Sequence, residues 1–306
     1  MRFFRKRRKK LGLALGGGAA RGWAHIGVIH ALREAEIPIN FVAGTSIGAL
    51  VGAFLAADKL KVLERLALNL DWLDVISFFD LVFPRSGLID GKKVVAFLGK
   101  HLPQKNIEEL PLPFAAVATD IISGKEVVLT KGNIIEAIRA SIAVPGIFTP
   151  VHLNGYLLVD GGVLNPVPVN VVKEMGAEVV IAVDLNTSII TPAMRKVKQP
   201  KKDKDEAFSR FHLKKLKDKL KELPYLKKWT SEEPTPNIFD VILTSIYLME
   251  QEITVYRLTI DKPDIVIRPQ VGYIGFMDFH KAASGIAEGY RAAMEKIVQI
   301  KSYVRI

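Results

Sequence analysis

The sequence predicts an α/β fold, a mostly parallel central sheet between helices. Three observations point there. The chain opens as strand, glycine loop, helix, strand, turn and helix, the order of a parallel α/β sheet. Three glycine-bearing motifs each follow the C-terminal end of a predicted strand, the edge where ligands gather in open α/β sheets. The composition, 49% apolar and 25% charged over 306 residues, is that of an ordinary globular chain able to bury a large core.

The elements follow in order. Leu11–Leu15 is a short apolar run that reads as a buried strand and ends at Gly16-Gly17-Gly18. Residues 19–36 carry Trp23, Ile26, Ile29, His30 and Arg33 at three- and four-residue steps, a helix that stops before Pro38. Residues 39–43 form a second strand, and Gly44-Thr45-Ser46-Ile47-Gly48 turns the chain into an alanine-rich helix reaching about Ala57. Further strands are predicted at 114–119, 127–130, 156–159, 179–184 and 264–268, with helices at 133–141 and 170–175. A last helix spans 278–300. The one clear shift of composition is at 191–236, rich in lysine and bracketed by prolines. The expected organisation is a basic tail at 1–10, then a single domain over 11–306 with a Lys-rich insertion or lid at about 190–236.

Composition narrows the chemistry. With no cysteine there is no disulfide, thiolate metal site or cysteine nucleophile. Six histidines offer no H-E-x-x-H spacing. The formal charge of +11 is concentrated: residues 1–10 hold seven basic side chains and no acid, residues 191–230 a net of +9, and the rest is mildly acidic. The N-terminus mimics a secretory signal, but its apolar run breaks at Gly16 and Arg21 follows. No run reaches the ~18 residues of a membrane span. The body is therefore expected in the cytoplasm.

Gly44-x-Ser46-x-Gly48, between a strand and a helix, suits a strained turn with Ser46 at its tip over a helix N-terminus. In Gly16-Gly17-Gly18-Ala19-Ala20-Arg21-Gly22 the missing side chains let N–H groups face a bound oxygen. For an acyl ester these would be an oxyanion hole, helped by the N–H of Ile47. A dinucleotide loop would need an acid at the end of the next strand, where Ala43 and Gly44 stand, and a Walker loop would need Gly-Lys-Ser/Thr. Arg21 could orient the loop or neutralise an anionic substrate, or be an ordinary surface arginine. Asp160-Gly161-Gly162 follows Leu157-Leu158-Val159 and offers a carboxylate that could approach another loop closely, as a base for Ser46.

Together these motifs resemble the patatin-like phospholipases, bacterial branch. His25-Ile26-Gly27-Val28, Ala140-Ser141-Ile142-Ala143-Val144-Pro145-Gly146-Ile147-Phe148 and Asp264-Ile265-Val266-Ile267-Arg268-Pro269 look similar too. The resemblance implies a three-layer α/β/α fold and a lipid acyl hydrolase with a Ser–Asp dyad, without a catalytic histidine, metal or other cofactor. It makes Ser46 the nucleophile and Asp160 the general base. Gly16, Gly17 and Gly18 would contribute to the oxyanion hole, and Arg21, Gly22, Gly44, Gly48, Gly161 and Gly162 support the motifs. The loop is one residue longer than G-x-G-x-x-G, so spacing leaves open which N–H groups face the oxyanion.

Two alternatives stand beside this reading. In the order of α/β-hydrolases, Asp160 or Asp184 followed by His280 would complete a triad with Ser46. The chain could also be a membrane-associated regulatory or binding protein with a residual hydrolase site. His25 and His30 read as packing residues, and His152 fits neither order.

In 208–229, Leu213, Leu216, Leu220 and Leu223 recur at helical steps among lysines, with Tyr225, Leu226 and Trp229 beyond, a pattern of helices lying in a membrane surface. With Phe3-Phe4 among basic residues, this predicts peripheral binding to the inner face of an anionic membrane through 1–10 and 195–230. A solvated lid and basic tail is the alternative. Nucleic-acid binding is the weaker reading, because no recognised motif accompanies the charge. The sequence carries no signal for oligomeric state, head group or acyl-chain length.

Overall fold

Leu11–Leu15, buried at every position, forms β1, with strands paired on both its edges. The structure, a computed structural model, describes residues 7–71, 89–186 and 238–305. After β1, a 3-10 segment at Ala19–Trp23 leads into α1 (Ala24–Glu34). Then come β2 (Phe41–Thr45), α2 (Ile47–Ala56), α3 (Leu60–Asn69), α4 (Lys92–His101), β3 (Phe114–Asp120), β4 (Lys125–Leu129) and α5 (Ile134–Ser141). The chain continues through β5 (Val151–Leu153), β6 (Tyr156–Asp160), α6 (Val169–Glu174), β7 (Val179–Val183), α7 (Ile238–Asp261), β8 (Ile265–Ile267), α8 (Ala282–Met294) and α9 (Ile297–Val304).

The sheet order is β5-β6-β3-β2-β1-β7-β8, with β4 also on β3. From β3 to β8 the pairs are parallel; β4, β6 and β5 join antiparallel. The two faces of the sheet carry different residues because side chains alternate along a strand. Leu11, Leu13, Leu15, Phe114, Ile181 and Val183 face one apolar core, with residues of α1, α2, α5, α8 and α9. Ala14, Ala43, Ala115 and Ala182 face the other, where Val169, Val171 and Val172 of α6 and Leu258 of α7 cover them. Helices thus lie on both faces, a three-layer α/β/α arrangement. α1 and α8 cross where a Cβ on Gly27 would overlap the Ile286 carbonyl oxygen and one on Gly289 the Ala24 carbonyl oxygen.

Several boundaries differ from expectation. The helix expected from Ala19 is 3-10 until Trp23. β2 starts at Phe41 and runs on through Thr45. The expected last helix is two, α8 and α9, with Glu295 and Lys296 between them. β5, α3, α4 and α7 are additional elements. By internal contacts the chain divides into two units, Met1–Ile189 with Ile246–Ile306, and Ile190–Ser245. The lysine-rich 191–236 stretch and residues 1–6 lie outside the described residues. Among the described residues no helix is long and apolar enough to cross a membrane.

Candidate active site

The sheet itself brings two distant residues together. β4 pairs with β3 from Ala116 to Asp120 and so occupies one edge of β3. On the other edge, β2 pairs with the first half, ending at Thr45 opposite Val117. β6 pairs antiparallel with the second half, ending at Asp160 opposite Ala118. β2 and β6 therefore run toward each other along one edge, and their C-terminal ends meet. Ser46 follows one end and Asp160 is the other.

Ser46 sits at φ 56°, ψ −126°, outside the usual range for a residue with a side chain. Its surroundings hold it there. Thr45 Oγ1 donates to the Asn165 carbonyl at 2.8 Å. The Ser46 N–H donates to Ser141 Oγ at 2.9 Å, and Ser141 Oγ donates to the Val117 carbonyl at 2.6 Å. Two N–H groups of the first turn of α2, Ala49 and Leu50, reach the Ser46 carbonyl. A Cβ on Gly44 would overlap the Gly48 carbonyl, and one on Gly48 the Leu15 carbonyl, so only glycine permits this turn of strand into helix.

Asp160 is 2% exposed. Its Oδ1 accepts from the Gly162 N–H at 2.8 Å, and no donor among the described residues satisfies Oδ2. Burial pushes its pKa up to about 7, against the pull of the Ser46 hydroxyl and the Gly162 N–H. Ser46 is close enough to exert that pull, yet no hydrogen bond of good geometry closes between the two; catalytic hydrogen bonds commonly tighten only with substrate bound.

The glycine loop corrects an expectation. The Gly16 N–H donates to the Val183 carbonyl at 3.1 Å and the Gly17 N–H to the Pro166 carbonyl at 2.9 Å. Both donors hold the loop to neighbouring segments, so the N–H groups left open at this loop are others than the two expected first. No acceptor among the described residues takes the N–H of Gly18, Ala19 or Ile47. His25 braces the loop from below, its Nε2 2.7 Å from the Gly16 carbonyl. Burial lowers the His25 pKa to about 4, so the ring is neutral and Nε2 carries the proton it donates. Arg21, also buried, donates from Nε to the Gly18 carbonyl at 3.1 Å and stacks 4.8 Å over the Tyr247 ring.

Ser46 opens onto an apolar cavity of about 160 Å³, lined also by Trp23, Ile47, Leu50, Phe97, Ile142, Phe148 and Phe279. An apolar chain can enter it; a charged group would lose its hydration there.

A family model described as patatin-like phospholipase matches residues 13–173, which include the glycine loop, Ser46 and Asp160. The chain belongs to the patatin-like phospholipase family. An uncharacterized NTE family protein of Mycobacterium tuberculosis is 41% identical over 184 residues, 60% of this chain and 51% of that protein. The chain thus spans about half the length of the mycobacterial relatives it matches. Mouse patatin-like phospholipase domain-containing protein 7 is 34% identical over 184 residues, 58% of this chain and 14% of that protein. Among solved structures, VipD from Legionella pneumophila aligns with a TM-score of 0.48 at 15% identity, covering 96% of this chain and 67% of that one.

Within this patatin-like domain the triad alternative loses its parts. Asp184 is paired with Arg268 at 3.1 Å and accepts from the Asn186 N–H. His280 is exposed on a 3-10 turn and acts on Asp278. No histidine among the described residues hydrogen-bonds Ser46 or Asp160. Sequence reasoning missed Ser141 and Asn165 as supports of Ser46, and Tyr247 and Glu250 beside Asp160. Ser141 lies in a stretch the family resemblance had marked. Glu250 carries no local signal, since only the fold brings α7 to this edge.

Proposed function

We propose that this chain hydrolyses fatty-acyl ester bonds of lipids through Ser46 and Asp160. The observation that carries the reading is the meeting of β2 and β6, which sets Ser46 beside a buried carboxylate oxygen without a partner, at the mouth of an apolar cavity.

An acyl chain enters the cavity and its ester carbonyl comes to rest over Ser46. Ser46 Oγ attacks the carbonyl carbon while its proton passes to Asp160 Oδ2. The negative charge forming on the carbonyl oxygen faces the N–H groups of Gly18, Ala19 and Ile47, the last at the positive end of α2. The tetrahedral adduct expels the alcohol, which takes the proton from Asp160. Water then attacks the acyl-Ser46 ester, again giving its proton to Asp160. The fatty acid departs and the proton returns to Ser46. A base with a pKa near 7 suits this work: ionised often enough to accept, basic enough to draw a hydroxyl proton.

The test is a panel of p-nitrophenyl esters and phospholipids, with fluorophosphonate labelling, on wild type, Ser46→Ala and Asp160→Asn. Hydrolysis and labelling by wild type, lost in Ser46→Ala and reduced at least about 1,000-fold in Asp160→Asn, supports the reading. Folded wild type that neither labels nor hydrolyses would instead point to a binding or regulatory protein.

A further inference from the structure

The motifs of the proposed site converge on one dipeptide, Asn165-Pro166. The Asn165 N–H donates to the Gly161 carbonyl at 2.8 Å, next to Asp160. The Asn165 carbonyl accepts from the hydroxyl of Thr45, the residue before Ser46, at 2.8 Å. The Pro166 carbonyl accepts from the Gly17 N–H at 2.9 Å. The turn of the base, the turn of the nucleophile and the glycine loop are thus each bonded to the same two residues. That dipeptide is stiff. Proline fixes its own φ, and its ring disfavours a helical conformation in the residue before it.

The Asn165 side chain ties the dipeptide to the sheet and to two helices. It is fully buried, and its Nδ2 donates to Glu126 Oε2 on β4 and to Asn170 Oδ1 on α6, both at 2.7 Å. Asn170 Nδ2 donates to the other oxygen of Glu126 at 3.1 Å. Arg257 of α7 joins them, Nη2 donating to Glu126 Oε2 at 3.1 Å and to Asn170 Oδ1 at 3.3 Å. Asn165 Oδ1 is buried without a donor among the described residues. An apolar side chain of the same shape would avoid that cost, and polar groups kept at such a cost gather at functional sites. We propose that Asn165 is a positioning residue for ester hydrolysis: its clamp by Glu126, Asn170 and Arg257 sets where Ser46, Asp160 and the glycine loop stand relative to one another. A shift of the dipeptide reaches all three motifs at once, and a displacement of about 1 Å can cost about 100-fold in rate. Substrate binding is spared. The clamp lies on the face of the sheet covered by α6 and α7, whereas the apolar cavity is lined by Trp23, Ile47 and Leu50 of the other face.

The inference rests on the Ser46–Asp160 reading, so it is tested with and without turnover. Glu126→Gln keeps the shape but turns an amide N–H2 toward a donor, Asn165 Nδ2 or Asn170 Nδ2, so at least one bond of the clamp is lost. On a soluble ester its kcat is expected to fall about 100-fold, with KM within about threefold of wild type. Arg257→Met, which leaves the Glu126 bonds in place, should show the same split with a fall of about tenfold. An unchanged kcat in Glu126→Gln, or a KM that rises in place of a falling kcat, overturns the proposal. The second measurement needs no activity: hydrogen exchange of single amides, read by NMR in wild type and Glu126→Gln. The Gly17 and Asn165 amides, both bonded through the clamped segment, should exchange about tenfold faster in the variant, while Leu13 and Ile181 at the sheet centre keep their rates. Exchange that quickens everywhere alike, or at neither Gly17 nor Asn165, overturns it even if activity falls. Local quickening in a protein whose wild type hydrolyses nothing counts against the esterase reading alone.

Discussion

Ser141 shows how one buried hydroxyl holds another serine, the proposed nucleophile, in place. Its hydroxyl takes the Ser46 N–H and gives its own proton to the Val117 carbonyl, linking the strained serine to the end of β2's pairing. Ser141→Ala leaves both partners buried and unsatisfied, at a cost of about 1–3 kcal/mol each. Urea unfolding should show the destabilisation, and kcat should fall more than KM changes. His25 makes a separate prediction. Its folded pKa, about 4, lies below the ordinary value of 6.5, so the unfolded chain binds its proton first as pH falls. Stability should be full above about 6.5, decline through that point and stop declining near 4, a loss of about 3 kcal/mol. Urea midpoints from pH 7 to 4.5 test it, with His25→Gln expected to flatten the profile. At this scale the motifs made Ser46 and Asp160 legible, because each needs glycine at fixed neighbouring positions. They did not show which N–H groups point inward. That depends on carbonyls of Val183 and Pro166, which the fold brings to Gly16 and Gly17 from far along the chain.

Among the elements, the parallel strands at the centre of the sheet read well because they are short, continuous and buried on both faces, while β5, antiparallel and part-exposed, did not. α7 stayed hidden for the opposite reason. Leu248, Met249, Val255 and Tyr256 are exposed while Tyr247 and Thr254 are buried, so its apolar residues surround the helix and blur the period of 3.6. The crossing of α1 and α8 was not legible either, since a glycine in a helix says nothing about which backbone it will meet. That crossing yields a prediction. Gly289→Ala puts a methyl group into the Ala24 carbonyl, which only a separation of the helices can relieve. Destabilisation of about 1–3 kcal/mol or more is expected in urea unfolding, whereas Gly124→Ala, where added bulk meets nothing, tests positive φ alone.

At the scale of the whole molecule, the charge sorts by position. The excess of basic residues belongs to residues 1–10 and 191–230, while the rest, which holds Ser46 and Asp160, is mildly acidic. Each Lys or Arg near an anionic leaflet contributes about 1 kcal/mol, so these segments are proposed to hold the enzyme at its substrate surface. Sedimentation with liposomes should show binding to anionic vesicles, weak binding to neutral ones, and loss on deleting 1–10 and 195–230. Equal binding to both vesicle types, unaffected by the deletions, would refute it.

The end-to-end meeting of β2 and β6 also has a kinetic side. The strand that leads to Ser46, the proposed nucleophile, is clamped between β1 and β3, but Asp160, the proposed base, arrives on the β5–β6 hairpin, joined to β3 through Ala118, Thr119 and Asp120 at the margin of the sheet. Margins open more readily than centres. Peeling that hairpin away would leave Ser46 in its turn and remove its base, with most of the core intact. Turnover should therefore disappear in urea before the near-ultraviolet signal of the core changes, and return at once on dilution. Enzyme activity would then act as a strain gauge for a single hairpin.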